Sequence, residues 1–354
     1  MDFSVGKRLR ELPGPLLLTG HTGFKGTWTT LLLEHLGVST VGYSLPAERD
    51  SLFDRANRKG AIPELFADIR SYQVLEEFMD RHKPSTIIHM AAQPLVLKSY
   101  ESPRETFDVN VMGTTNVLDI AFKKDYVQVI VIVTTDKVYR NDNSSQPFVE
   151  TDPLEGKDPY SSSKVGTEAA VTAWQQISKI SGGPKVVSVR AGNVIGGGDY
   201  AENRIIPDLI RGVFNNAKVE IRNPRSTRPW QHVLDPIHGY LLALEKSLGG
   251  SSFSNLNFGP SGRSLSVMEI VEIGSRFFPQ VTTLSHLKGI PSTFMEATFL
   301  DLDSSLSQQV LDWSPHWSQE QAAIATFEWW SRHLAGTESA EKLCKDEIRA
   351  LLRE

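Results

Sequence analysis

Two short clusters in this 354-residue chain carry side chains whose type and spacing could do chemistry. In DPYSSSK, Tyr160 and Lys164 stand four residues apart, behind Asp158 as a helix cap and Pro159 at the first helical position. An i, i+4 pair shares one helical face, so the ammonium can approach the phenol. A free tyrosine, with a pKa of about 10, is a poor base near neutrality. A nearby cation stabilises the phenolate and makes it a usable general base. In the second cluster the apolar run VQVIVIV leads into Thr134, Thr135, Asp136, Lys137, Val138 and Tyr139. A neighbouring acid and amine are ordinarily a surface ion pair. Directly after a buried strand they form a candidate acid–base couple, and the Thr135 hydroxyl can bond a reacting oxygen beside Tyr160.

A third segment can hold a cofactor. LLLTGHTGFKG sets Gly20, Gly23 and Gly26 after an apolar run and at the start of a helix. Glycine there permits a tight turn, close backbone approach to a pyrophosphate, and close helix–strand packing. The helix N-terminus offers unpaired N–H groups and a positive dipole end to phosphates. The spacing G-x-x-G-x-x-G differs from the usual G-x-G-x-x-G, so the flanking strand and helix carry the reading. The next strand ends TVGYSLPAERD, with Ser44 and Leu45 where a ribose-binding carboxylate would select NAD. NADP is therefore not excluded by charge, and Arg49 would favour it.

These groups need a scaffold. Leu16–Thr19, Thr40–Tyr43, Thr86–His89, Val127–Val133 and Val186–Arg190 read as strands. Helical patterns lie between them near Gly26–Leu36, Tyr72–His82, Pro103–Lys123 and Tyr160–Ser178. Alternation of this kind requires crossover connections and predicts an α/β fold: a Rossmann-type, doubly wound parallel sheet. Beyond Arg190 the pattern turns irregular, with a glycine-rich loop, a helix around Ile205–Phe214, a loop at Asn257–Arg263 and terminal helices. This part reads as a smaller C-terminal substrate-binding lobe. Trp313, Trp317, Trp329 and Trp330 read as packing residues of those helices.

The net charge of -5 argues against nucleic acid or anionic lipid as partners. No stretch is long and apolar enough to span a membrane, and MDFSVGKRLRELPG lacks the apolar core of a signal peptide. With Cys344 as the only cysteine no intramolecular disulfide can form, so a cytoplasmic location is expected. The nine histidines lack metal-ligand spacing, so no metal is expected, and His89 reads as a sheet-end residue.

Taken together, TGHTGFKG, AAQPLV, NVMGT, TTDK, DPYSSSK, RAGNVIGGGD and RPWQHVLDP resemble the CDP-glucose 4,6-dehydratase family of the extended short-chain dehydrogenase/reductase superfamily. The motifs follow family order from about Leu18 to Gly259. The resemblance implies a dinucleotide-binding domain over 1–190, to which 232–258 returns, and a nucleotide-sugar lobe over 191–354. It implies NAD contacts from Gly20, Thr22, Gly23, Phe24, Lys25 and Gly26, from Asp68 and Ile69 beside the adenine, and from Ala91, Ala92, Gln93, Asn110, Thr134, Tyr160 and Lys164. Asn193, Arg204, Arg228 and His232 match substrate-binding positions, Arg228 having the planar fork that suits a diphosphate.

By the same resemblance Tyr160 takes the 4-hydroxyl proton while the C4 hydride passes to NAD. Asp136 is the acid for the departing 6-hydroxyl and Lys137 the base at C5, where related dTDP-sugar dehydratases carry glutamate. Hydride returns to C6 and leaves a 4-keto-6-deoxy sugar. A homodimer or homotetramer through the helix pair carrying Tyr160 is also implied. Leu97, the tryptophan-free stretch 140–149 and Asp301 depart from the family pattern where base and sugar are recognised. Two rival readings remain. A nucleotide-sugar epimerase or 4-reductase would use Thr135, Tyr160 and Lys164 without an eliminating pair, and a non-catalytic dinucleotide sensor would need neither.

Overall fold

The computed structural model describes residues 5–142, 146–221, 223–287 and 300–353. Seven strands form one sheet: β1 (Leu16–Thr19), β2 (Thr40–Ser44), β3 (Glu64–Phe66), β4 (Thr86–His89), β5 (Val129–Val133), β6 (Lys185–Ala191) and β7 (Asn255–Phe258). Their order is β7-β6-β5-β4-β1-β2-β3, and every pairing is parallel. The order reverses between β1 and β4, and a crevice opens beyond the carboxyl ends of the strands at such a switch point.

The apolar runs form strands because both of their faces are covered. Leu16, Leu18, Ile88, Val129 and Val131 pack on one side with Trp28, Leu31 and Leu32 of helix α1 (Phe24–His35). Leu17, Ile87, Ile130 and Ile132 face the other side. There they meet α2 (Tyr72–His82), α3 (Gly113–Phe122) and Val171 of α4 (Pro159–Ser181). The strand period of two divides each run between the two cores.

Beyond β6 the chain makes short strand pairs, Val194–Ile195 with Gln231–His232 and Thr227–Arg228 with Leu265–Ser266. The longer helices of this part are α5 (Ile205–Asn215), α6 (Leu234–Leu248), α7 (Val267–Phe277), α8 (Gln319–Leu334) and α9 (Ala340–Leu352). Helix α6 packs on β5 and β6, β7 extends the sheet past β6, and α9 lies against α1. The four tryptophans are buried, and Cys344 is a buried free thiol.

Two elements differ from expectation. β3 has three half-buried residues and no apolar run, so its sequence carries no strand period. The helix expected across Pro103–Lys123 is interrupted by a π-helical turn at Asp108–Met112, which carries the buried Asn110. Among the described residues no helix is long and apolar enough to cross a membrane, and no cluster of side chains could hold a metal ion.

Candidate active site

The turn from β1 into α1 is built around two glycines. Gly20 has φ +75°, and a Cβ on it would stand 2.8 Å from the Ala91 nitrogen. A Cβ on Gly26 would stand 2.1 Å from the Gly20 carbonyl oxygen. Gly23 caps α1, leaving the first-turn N–H groups of Phe24 and Lys25 at the crevice edge. The Thr22 hydroxyl meets Ser44 Oγ at 2.8 Å and donates to the Leu45 carbonyl at 3.0 Å, tying the turn to the end of β2. His21 is buried between Phe53 and Phe66, with Nε2 2.9 Å from Glu64.

The catalytic candidates converge beyond β5. Asp158 caps α4 with a capping box through Ser161, and Pro159 opens the helix. Tyr160 and Lys164 then point into the buried side of α4. The Tyr160 hydroxyl lies beside Thr135, whose own hydroxyl donates to Asp136 Oδ1 at 3.0 Å. Burial pushes the phenol up to about 12; Thr135 and Arg204 pull it down, while Asp136 adds to the rise. Lys164 donates to the Val133 carbonyl at 3.1 Å. Burial brings its ammonium down to about 8, against the raising effect of Glu168.

Asp136 is 1% exposed, and its Oδ2 has no hydrogen-bond partner among the described residues. Burial raises its pKa; Lys137, Thr135 and Arg228 oppose the rise. Lys137 itself is exposed. Lys25 reaches the same crevice and donates to the Tyr240 hydroxyl at 3.4 Å. Burial, with the Arg204 and Lys164 cations, brings Lys25 down to about 7.

The other expected contacts fall into two groups. Arg228 faces Asp136, and Arg204, held by Asp199 at 2.9 Å, acts on Tyr160 and Lys25. Asn193 is half-buried, its carbonyl accepting from the Gln231 nitrogen. Several others are engaged within the protein. Asn110 accepts from the Gln93 nitrogen at 2.8 Å and donates to Ser163 Oγ at 2.8 Å, joining the β4 loop to α4. Thr134 donates to Glu168, Asp68 pairs with Arg70 at 2.6 Å, and Ile69 packs beneath Gly113. Ala91 donates from its backbone to Thr19 Oγ1, and Ala92 follows it half-buried. The His232 ring is fully buried between Trp28 and Trp317 and stands 2.9 Å from Glu347. His89 bonds Thr19 and Thr114 at the end of β4, and burial with Lys164 lowers it to about 3.

Residues 16–259 match the model of the NAD dependent epimerase/dehydratase family. The chain belongs to that family. Among its relatives, the CDP-glucose 4,6-dehydratase of Salmonella typhimurium is 36% identical over 95% of this chain and 93% of its own. A UDP-glucose 4-epimerase of Halalkalibacterium halodurans is 27% identical over 92% of this chain and 99% of its own. In fold, it is similar to a dTDP-glucose 4,6-dehydratase from Streptomyces venezuelae solved with NAD bound. That match has a TM-score of 0.79 at 22% identity and covers 91% of this chain and 98% of that one.

The glycine turn suits the dinucleotide of this NAD dependent family. Its close approach would be filled by any Cβ at Gly20 or Gly26, and the α1 N-terminus is free to receive phosphates. Sequence reasoning missed Tyr240, Glu168 and Arg190. Glu168 had a signal, lying one more i, i+4 step beyond Lys164. Arg190 is a charged residue inside an apolar strand, which signals a buried partner. Tyr240 had none, because it enters from a helix 76 residues after Lys164.

Proposed function

We propose that this protein is a nucleotide-sugar 4,6-dehydratase that converts CDP-glucose to CDP-4-keto-6-deoxyglucose with NAD as its cofactor. The observation that carries the reading is Asp136, a buried carboxyl that burial favours in its protonated form, beside the Thr135–Tyr160 pair. An epimerase or reductase has no use for such an acid. The 36% identity to a CDP-glucose 4,6-dehydratase over nearly the whole chain supports the same choice.

The bound nicotinamide supplies the hydride acceptor and later the hydride donor. Tyr160, steadied by Thr135 and by the Lys164 and Arg204 cations, takes the proton of the sugar 4-hydroxyl. The resulting ketone acidifies the C5 hydrogen. Asp136 gives its proton to the departing 6-hydroxyl, and Lys137 takes the C5 proton. Lys137 is exposed in the free protein, where a bound sugar would cover it. Arg228, whose charge acts on Asp136 from the strand pair 227–228 and 265–266, would take the diphosphate.

The dinucleotide then lies on 1–190 with 232–258, and the nucleotide sugar on the lobe that follows Arg190. The same reading makes the enzyme a cytoplasmic homodimer or homotetramer, with no membrane or nucleic-acid partner. Leu97, Tyr100, Phe107 and Met112 are exposed on the segments packed against α4, and Ile177 and Ile180 are exposed on α4 itself. A second copy of this chain would cover them.

Incubation with CDP-glucose, dTDP-glucose, UDP-glucose and GDP-mannose, each with NAD and separately NADP, tests the proposal. The expected outcome is loss of one water from CDP-glucose with NAD and formation of a 4-ketone. Dehydration of another nucleotide sugar alone would overturn the substrate, and an inverted hydroxyl without water loss would overturn the reaction.

A further inference from the structure

Thr135, Asp136 and Lys137 lie on one short segment, and a single buried ion pair grips that segment at both ends. Glu168 on α4 accepts from the Thr134 hydroxyl at 2.5 Å. Arg190 on β6 donates to the same carboxylate through Nε at 2.9 Å and Nη2 at 2.8 Å. Through Nη1 it also donates to the Tyr139 hydroxyl at 2.8 Å. Tyr139 in turn donates to Asn257 Oδ1 of β7 at 2.7 Å. Ser188 adds a hydrogen bond to Glu168 at 2.9 Å, and the Glu150 carbonyl accepts from Arg190 at 3.1 Å. Both charged side chains are 2% exposed.

Such a pair is a poor source of stability, because desolvating two ions costs about as much as their attraction returns. Apolar side chains would hold α4 on β6 equally well. They would not bind a hydroxyl at each end of Thr134–Tyr139. We propose that Glu168 and Arg190 are positioning residues that clamp both ends of the Thr134–Tyr139 segment. The kinetic part of this inference rests on the dehydratase reading; the structural part does not.

Charged and titratable groups surround Lys164 on its own helix and on α1, β4 and β6. Glu168 lies one turn along its own helix, Lys25 approaches from α1, and His89 from β4. His89 is neutral and Lys25 repels, so Glu168 works against burial to keep the Lys164 proton on. Arg190 reaches Glu168 from β6, and Tyr160 shares the α4 face. Without the carboxylate, Lys164 loses its proton at lower pH. Activity that needs the cation then falls off earlier as pH rises.

Three variants test the clamp: Glu168→Gln, Glu168→Asp, and the double Glu168→Leu/Arg190→Met, which leaves no unpaired buried charge. The readouts are amide hydrogen exchange over 134–139 in the free protein, and kcat, KM and the pH profile with CDP-glucose. Glu168→Gln is expected to lower kcat about 10²-fold with KM little changed, as for a misplaced reacting group. Its basic limb should move down by about one pH unit. Glu168→Asp keeps the charge and should restore the limb while kcat recovers only in part. The double variant should melt near wild type, yet stay slow, keep the shifted limb and exchange faster over 134–139. Unchanged exchange in that segment, or a double variant with normal kcat and pH profile, would overturn the proposal. Wild type that leaves CDP-glucose untouched would count against CDP-glucose as the substrate, and the exchange measurement would still decide the clamp.

Discussion

Burial raises the hold of Asp136 on its proton, while Lys137, Thr135 and Arg228 pull the other way. The group therefore stays a usable acid over a wider pH range than an exposed aspartate, and dehydration should weaken as pH rises through its raised pKa. Asp136→Asn keeps the shape and removes the proton. Loss of a positioned general acid costs roughly 10²–10⁴-fold in rate, so kcat for water loss should fall by that order. The melting temperature should not fall with it, since a buried carboxyl with one unpartnered oxygen is no asset to the fold. Release of the C5 hydrogen to solvent, followed by mass spectrometry, would separate elimination from the earlier oxidation. At this scale the sequence was informative about residue type and spacing, as at Tyr160, Lys164 and Asp136. It was silent about direction: RPWQHVLDP names His232 and Arg228 alike, yet one ring lies buried between two tryptophans while the other side chain's charge acts on Asp136.

Elements were legible where a period or a cap wrote them. The capping box of α4 could be anticipated from DPYSSSK, and β1, β4 and β5 from their apolar runs. β3 and the π-helical turn at Asp108–Met112 could not, because neither changes the local pattern of apolar residues. The glycine-rich stretch after β6 reads as a loop in sequence, but contacts far along the chain determine its shape. A Cβ on Gly197 would stand 2.0 Å from Trp329 Cδ2 on α8, and the Gly197 carbonyl accepts from Trp28 Nε1 of α1 at 3.1 Å. Gly197→Ala must therefore push a buried tryptophan out of place. Overpacking of this kind costs about 1–3 kcal/mol, which equilibrium urea unfolding would measure. Since Asp199 and Arg204 follow on the same segment, KM for the nucleotide sugar should rise as well.

For the whole molecule, the exposed apolar side chains on and beside α4 predict self-association. Met112→Glu with Ile177→Glu should shift sedimentation toward the monomer while leaving the far-ultraviolet dichroism unchanged. A second prediction concerns how the last helices are joined to the sheet. Asp235 is 1% exposed at the start of α6, where it accepts from the backbone nitrogens of His316 at 2.6 Å and Trp317 at 3.4 Å. Burial pushes its carboxyl up to about 7, the backbone donors and nearby His232 opposing. A carboxyl whose folded pKa lies above its unfolded value of about 3.9 binds more protons in the native state between those two values. Its contribution is then complete below pH ~4 and is lost as pH rises to about 7. Asp235→Asn keeps an acceptor for one of the two nitrogens and cannot ionise. The stability difference, wild type minus variant, should fall across that window by at most about 1.4 kcal/mol per pH unit and level off above it. Urea unfolding of both proteins from pH 4.5 to 8.5 would measure the slope. A difference that stays flat, or rises with pH, would mean that the Asp235 carboxyl is ionised in the folded protein throughout, with the joint held by a buried charge.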